Sequence, residues 1–233
     1  MNDSEKPSLK RAAVWDLPTR LFHWLLVALF VALWVTGTND MLDWHMVIGQ
    51  ILFALLLFRL AWGLVGSRHS RFADFAASPK ATLKHLREVL RIARRGPVGA
   101  DGGYHLGHIG LGAWMVIVLL VLVLAQTISG LFATDDIATQ GPLNHLVGDR
   151  TARVMTVFHD LAFNVILALV AIHIAAVLFY LIRKRENLIR PMITGSTPLP
   201  AEVAAREPHF ASIWIALALL IAAFLVVWGI TSL

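Results

Sequence analysis

Cysteine is absent from all 233 residues. That excludes covalently attached c-type haem, which needs a C-x-x-C-H segment, along with cysteine-ligated iron–sulfur clusters and disulfides. Charge is scarce as well. Only 15% of residues are charged against 58% hydrophobic, too apolar a balance for a soluble domain of this size. The polar first 16 residues lack an A-x-A cleavage pattern, so no removable signal peptide is expected. Any cofactor must then be held by His, Met, carboxylates or backbone. The net charge of +5 does not point to nucleic acid, because the bases sit in loops between apolar runs, where membrane topology accounts for them.

What the chain does contain is five apolar runs, at about 17–38, 44–64, 107–132, 153–182 and 210–231. Each is near the 20 residues that a helix needs to cross a bilayer core. The expected fold is therefore all-α, an integral membrane helical bundle of four helices plus a fifth. The fifth run holds no ionisable side chain and is expected to face lipid. Seventeen of the twenty Lys and Arg residues fall in the N-terminal segment, between runs two and three, and after run four. The opposite side has Arg150 and Arg153 against Asp40, Asp43, Asp135, Asp136 and Asp149. By the positive-inside rule the N-terminus is cytoplasmic and the C-terminus periplasmic, in a bacterial inner membrane. Pro79 to Arg95 reads as an amphipathic helix lying on the anionic inner leaflet.

Apart from His108 at the start of run three, four histidines lie inside these runs. His159 and His173 are 14 residues apart on run four; at 1.5 Å per residue that is roughly 21 Å, close to four whole turns, so both leave one face. His23 lies roughly 8 Å to the cytoplasmic side of the midpoint of run one, and His45 roughly 13 Å to the outer side of the midpoint of run two. The depths match in pairs, His45 with His159 outside and His23 with His173 inside. A neutral imidazole is a good iron ligand, and two such pairs suggest two stacked bis-histidine haems, which transfer electrons and do not readily bind oxygen. A single intramembrane histidine is more often a packing or interface residue; four at two matched depths are harder to obtain that way. Arginine forks suit haem propionates. Arg20 and Arg59 sit at the inner level and Arg153 at the outer, although Arg20 and Arg153 read equally well as interface snorkellers. Gly37 and Gly130 would give a porphyrin close access to backbone, or simply make helix contacts.

The segments VWDLPTRLFHWLL (Val14 to Leu26), LFRLAWGLVGSRHSRF (Leu57 to Phe72), SGLFATDDIATQGPL (Ser129 to Leu143) and RENLIRPMITG (Arg185 to Gly195) resemble the bacterial cytochrome b561 family. That family includes the cytochrome b subunits of nickel–iron hydrogenases. The resemblance implies a four-helix di-haem core over residues 1–195, with a linker and fifth helix at 196–233 outside it. It implies two haem b groups with helices one, two and four as donors, hence His23, His45, His159 and His173. It also implies an exchangeable membrane quinone near the inner haem and the start of the third helix. Many members have a G-H-N-P-like motif there; this chain has Gly107-His108-Ile109-Gly110, with Ile109 in place of a polar residue.

The expected function is electron transfer between the quinone pool and a periplasmic redox partner, such as a c-type cytochrome or a dehydrogenase or hydrogenase subunit. Homodimer formation is left open. One alternative is a stand-alone superoxide:quinone oxidoreductase. Another is a histidine-based metal or proton transporter without haem, for which broken helices or mid-span acids would argue. Asp160, toward the outer end of run four, is the nearest to such an acid.

Overall fold

The computed structural model describes residues 9–75, 87, 110–135, 139–200 and 210–233. The expected amphipathic helix at 79–95, His108 and Asp136 lie outside the described residues, apart from residue 87. In order along the chain come strand β1 (Leu9–Ala13), α1 (Leu17–Thr38), α2 (Leu42–Val65), a 3-10 turn (Arg68–Ser70), the short α3 (Phe72–Phe75) and α4 (Gly110–Phe132). A second 3-10 turn (Asn144–Leu146), α5 (Asp149–Arg183), α6 (Ile189–Thr194), β2 (Ser196–Pro200) and α7 (Ile213–Thr231) complete it. α1, α2, α4, α5 and α7 are long and apolar enough to cross a membrane. In lipid a helix satisfies its own backbone, which is why runs so poor in polar side chains take this form. The chain is an all-α, multi-pass membrane helical bundle.

α5 is longer than a bilayer requires. Its 35 residues span about 52 Å at 1.5 Å per residue, against a hydrocarbon core of about 30 Å. His159 stands ten residues from its first residue and His173 ten from its last. Ile166, midway between them, is wholly buried. Charged residues at both ends, Asp149 and Arg150 at one and Arg183 at the other, carry the helix out into polar surroundings.

Two compact units divide the chain. The first contains Met1–Arg20, Gly63–Met115 and Ile174–Ala211. In it β1 pairs antiparallel with β2, Ala13 opposite Ser196 and Lys10 opposite Leu199, a pairing that the sequence reading did not foresee. Asp16 caps α1, its Oδ1 accepting the Thr19 N–H at 2.9 Å. Its Oδ2 accepts from the Ser70 hydroxyl at 3.0 Å, and the Thr19 hydroxyl lies 2.7 Å from Ser70 Oγ. Ser67 Oγ accepts the Ala211 N–H at 3.0 Å. The W-D-L-P-T-R stretch is thus the start of a capped helix tied by side chains to the turn after α2.

The second unit contains Leu21–Trp62, Val116–His173 and Ser212–Leu233. A core of Phe53, Ala54, Leu131, Leu143 and Val227 joins α2, α4, the outer loop and α7. On α7 only Ala216, Ala223 and Val227 are buried, at helical spacing. The fifth span is therefore largely outward-facing, as expected, but one stripe of it docks on the bundle. The outer loop folds back over the end of α4, whose last carbonyls would otherwise lack donors. Leu143 N–H reaches Leu131 O, Gly141 N–H reaches Ala133 O, and Asn144 Nδ2 reaches Phe132 O, at 2.8–2.9 Å. A side chain at Gly141 would strike the carbonyls of Gly130 and Leu131. Thr156 on α5 both accepts from Thr134 N–H and donates to Thr134 O. This pins the loop to α5 three residues before His159.

Candidate functional site

The α1–α2 connection brings the first outer histidine into place. Thr36 O accepts the Met41 N–H at 2.9 Å, and Asp40 takes the left-handed conformation at φ 54°. This is a helix stop usually given to glycine. The reversal is so tight that α2 starts at Leu42 and His45 comes back against the last turns of α1. Its Nδ1 lies 3.0 Å from Leu33 O and 3.3 Å from Thr36 Oγ1. A carbonyl oxygen only accepts, so Nδ1 carries the proton and Nε2 keeps its lone pair. A Cβ on Gly37 would come within 3.1 Å of the ring.

His159 is held in the same way by α4. Its Nδ1 lies 2.9 Å from Gln126 O and 3.2 Å from Ser129 Oγ, which leaves Nε2 bare by the same reasoning. A Cβ on Gly130 would stand 2.9 Å from Cε1 of the ring. The rings of His45 and His159 have centroids 6.2 Å apart and planes at 75°. A metal between two imidazoles would set the centroids roughly 6 Å apart, from about 2 Å of bond and about 1 Å from nitrogen to ring centre on each side.

At the inner level stand His23 on α1 and His173 on α5, both in the second unit. His23 Nδ1 is buried without a hydrogen-bond partner. Arg59 is 2% exposed, and its guanidinium stands 5.8 Å over the ring of Phe22, the residue before His23. Between the two levels Phe163 stacks on Phe30 at 6.0 Å and meets Trp34 at 6.2 Å. These aromatics keep the space between the levels apolar.

Arg20 belongs to the first unit, where Nη1 donates to Ile193 O at 2.6 Å. Gly195 caps α6 at φ 81°. A Cβ there would lie 3.0 Å from Trp15 O and 3.1 Å from the Arg20 guanidinium. Arg20 thus clasps the segment after α5. Arg153 is exposed. Gly37 and Gly130 make room for the histidine rings themselves. Thr36, Ser129 and the carbonyls of Leu33 and Gln126 were missed in the sequence. The only signal was a hydroxyl–glycine pair, Thr36-Gly37 and Ser129-Gly130, near the outer end of each helix.

Among the described residues no three or more of His, Asp and Glu gather as a metal site. Paired imidazoles suit an iron whose other four ligands come from a porphyrin. These features define a membrane helical bundle of the b-type cytochrome class. The family model for prokaryotic cytochrome b561 matches residues 14–195, and the chain belongs to that family. It is a family of membrane electron-transfer proteins that bind b haem. Comparison with curated proteins and with solved structures finds no match.

Proposed function

We propose that the chain carries electrons across the inner membrane through two bis-histidine b haems, between membrane quinone and a redox partner outside. His45 and His159 would hold the outer haem, and His23 and His173 the inner one. The observation that carries this reading is the fixed tautomer of the outer pair. Both Nδ1 atoms donate to backbone carbonyls at 2.9–3.0 Å, so both Nε2 lone pairs are free to bind iron, as metal-ligating histidines require. When bound, the haem would supply reversible one-electron chemistry. The chain's own part is to hold the imidazoles, exclude water and, through Arg59, place a buried guanidinium of a kind that suits carboxylates at the inner level.

Support for an outside partner comes from charge. Asp40, Asp43, Asp135 and Asp149 are all exposed on the face that holds the outer pair, and such a face steers a positively charged docking patch. The quinone belongs with the family assignment and with the inner level. With the N-terminus cytoplasmic, the bases of the first unit face the anionic inner leaflet.

A pyridine haemochrome count on the purified chain, with reduced-minus-oxidised spectra, tests the reading. Two b haems per chain, reducible by quinol, are expected. A chain without haem would make it a histidine-based transporter instead. Two haems oxidised by superoxide, with rates indifferent to salt, would make it a stand-alone oxidoreductase.

A further inference from the structure

The seats of the two outer histidines repeat one pattern on different helices. On α1 the carbonyl of Leu33, a hydroxyl three residues on at Thr36 and a glycine at Gly37 receive the ring of His45. On α4 the carbonyl of Gln126, the hydroxyl of Ser129 and Gly130 receive the ring of His159 at the same offsets. The distances agree within 0.1 Å for carbonyl and hydroxyl alike, 3.0 against 2.9 Å and 3.3 against 3.2 Å. Each receiving helix precedes the histidine's own helix in the chain. The two helical hairpins α1–α2 and α4–α5 therefore build the outer site by equivalent means.

The direction of each hydroxyl hydrogen is settled by its other bond. Thr36 Oγ1 donates backward to Ala32 O at 2.8 Å. Ser129 Oγ donates to Gln126 O at 2.9 Å. Each hydroxyl proton is committed to its own helix, so toward the imidazole each oxygen offers only a lone pair. The Nδ1–H of each ring then has two acceptors, one carbonyl and one hydroxyl. Both acceptors withdraw the proton from the ring and leave the opposite nitrogen more electron-rich and a stronger donor. The glycines allow this, because a side chain at either would push the ring off its acceptors.

We propose that Thr36 and Ser129 are matched positioning residues that fix the outer histidine rings and lower the reduction potential of the outer haem, an inference that rests on the functional reading above. Neither touches the iron. Each acts through one imidazole, by favouring the more electron-rich ring and with it the more highly charged, oxidised iron.

The test is a redox titration of the purified holoprotein with Thr36→Val, Ser129→Ala and the double variant, with Thr36→Ser as the conservative control. Thr36→Val keeps the side-chain shape, and Ser129→Ala removes a single oxygen, so neither leaves a large void. The expected result is a rise in the midpoint of the outer haem in each variant, larger in the double variant, with the inner midpoint unmoved. The low-spin ferric resonance of the outer haem alone should change its g-values, because ring orientation and donor strength set them. Weakened second partners of ligating histidines typically cost about 10- to 100-fold in metal affinity, so the outer haem should also exchange into apomyoglobin faster. Thr36→Ser should restore the potential and the resonance. Two intact haems with an unmoved outer midpoint in the double variant would overturn the proposal while sparing the functional reading. A wild-type chain that binds no outer haem would overturn both.

Discussion

The outer and inner histidine pairs occupy one helix bundle and are supported in different ways. At the outer level each ring is gripped from behind by a carbonyl and a hydroxyl, and a glycine makes room for it. At the inner level His23 Nδ1 is buried with no partner, and the added feature is a buried cation, Arg59. The outer rings are preorganised by the protein alone. The inner level instead holds a buried guanidinium beside Phe22, the neighbour of His23. A preorganised ligand loses little freedom on binding, so the outer site should load first and the inner site should depend more on the cofactor itself.

The largest expected effect breaks the pairing. His45→Ala or His159→Ala should remove the outer haem, and His23→Ala or His173→Ala the inner one, each halving the haemochrome count. If the His45 and His173 variants lost the same haem, the assignment by level would fail.

Next come the glycines. Gly130→Ala would place a methyl group 2.9 Å from His159 Cε1, and Gly37→Ala one 3.1 Å from His45. Overpacking of this kind costs about 1–3 kcal/mol. Outer-haem occupancy should fall, more for Gly130, with inner occupancy unchanged. Equal loss at both levels in spectra of the purified variants would mean a general packing defect.

A smaller effect is expected at Arg59. A unit charge acting over a separation on the order of 10 Å would change a redox equilibrium by roughly 1–2 kcal/mol at an effective dielectric of about 20. A nearby cation favours the reduced state, so Arg59→Leu should lower the inner midpoint and move the outer one less. An equal shift in both titrations would detach Arg59 from the inner level.

The smallest effect is a control on the outer hairpin. Asp40 adopts φ 54°, where a non-glycine residue is strained. Asp40→Gly should stabilise the chain by up to about 1 kcal/mol in thermal unfolding followed by the haem band, with both midpoints unchanged. A shifted outer midpoint would show that the turn itself holds His45 under strain.

Much of this architecture was legible before folding was considered. The spans could be read because bilayer thickness demands about 20 apolar residues per helix, and observed helix ends differ from the expected ones by no more than four residues. The level of each histidine could be read because a helix rises by a constant step. That arithmetic set His45 beside His159, and the folded chain brings those two rings together. Depth alone did not show what Arg20 holds: three residues before His23, its Nη1 donates to Ile193 O, 173 residues away in the chain.

The sequence by itself therefore determined the medium, the number of crossings and the depth of each polar group, since these follow from composition and a one-dimensional rise. Only the tertiary structure decided how the outer rings are held, because the acceptors at Leu33 and Gln126 are backbone carbonyls, which every residue carries and no residue letter marks. It also decided the pairing of β1 with β2, the docking of one stripe of α7 and the use of Gly37 and Gly130 as seats for imidazoles. Each of these depends on close approach between separate elements, which depth along one helix axis does not specify.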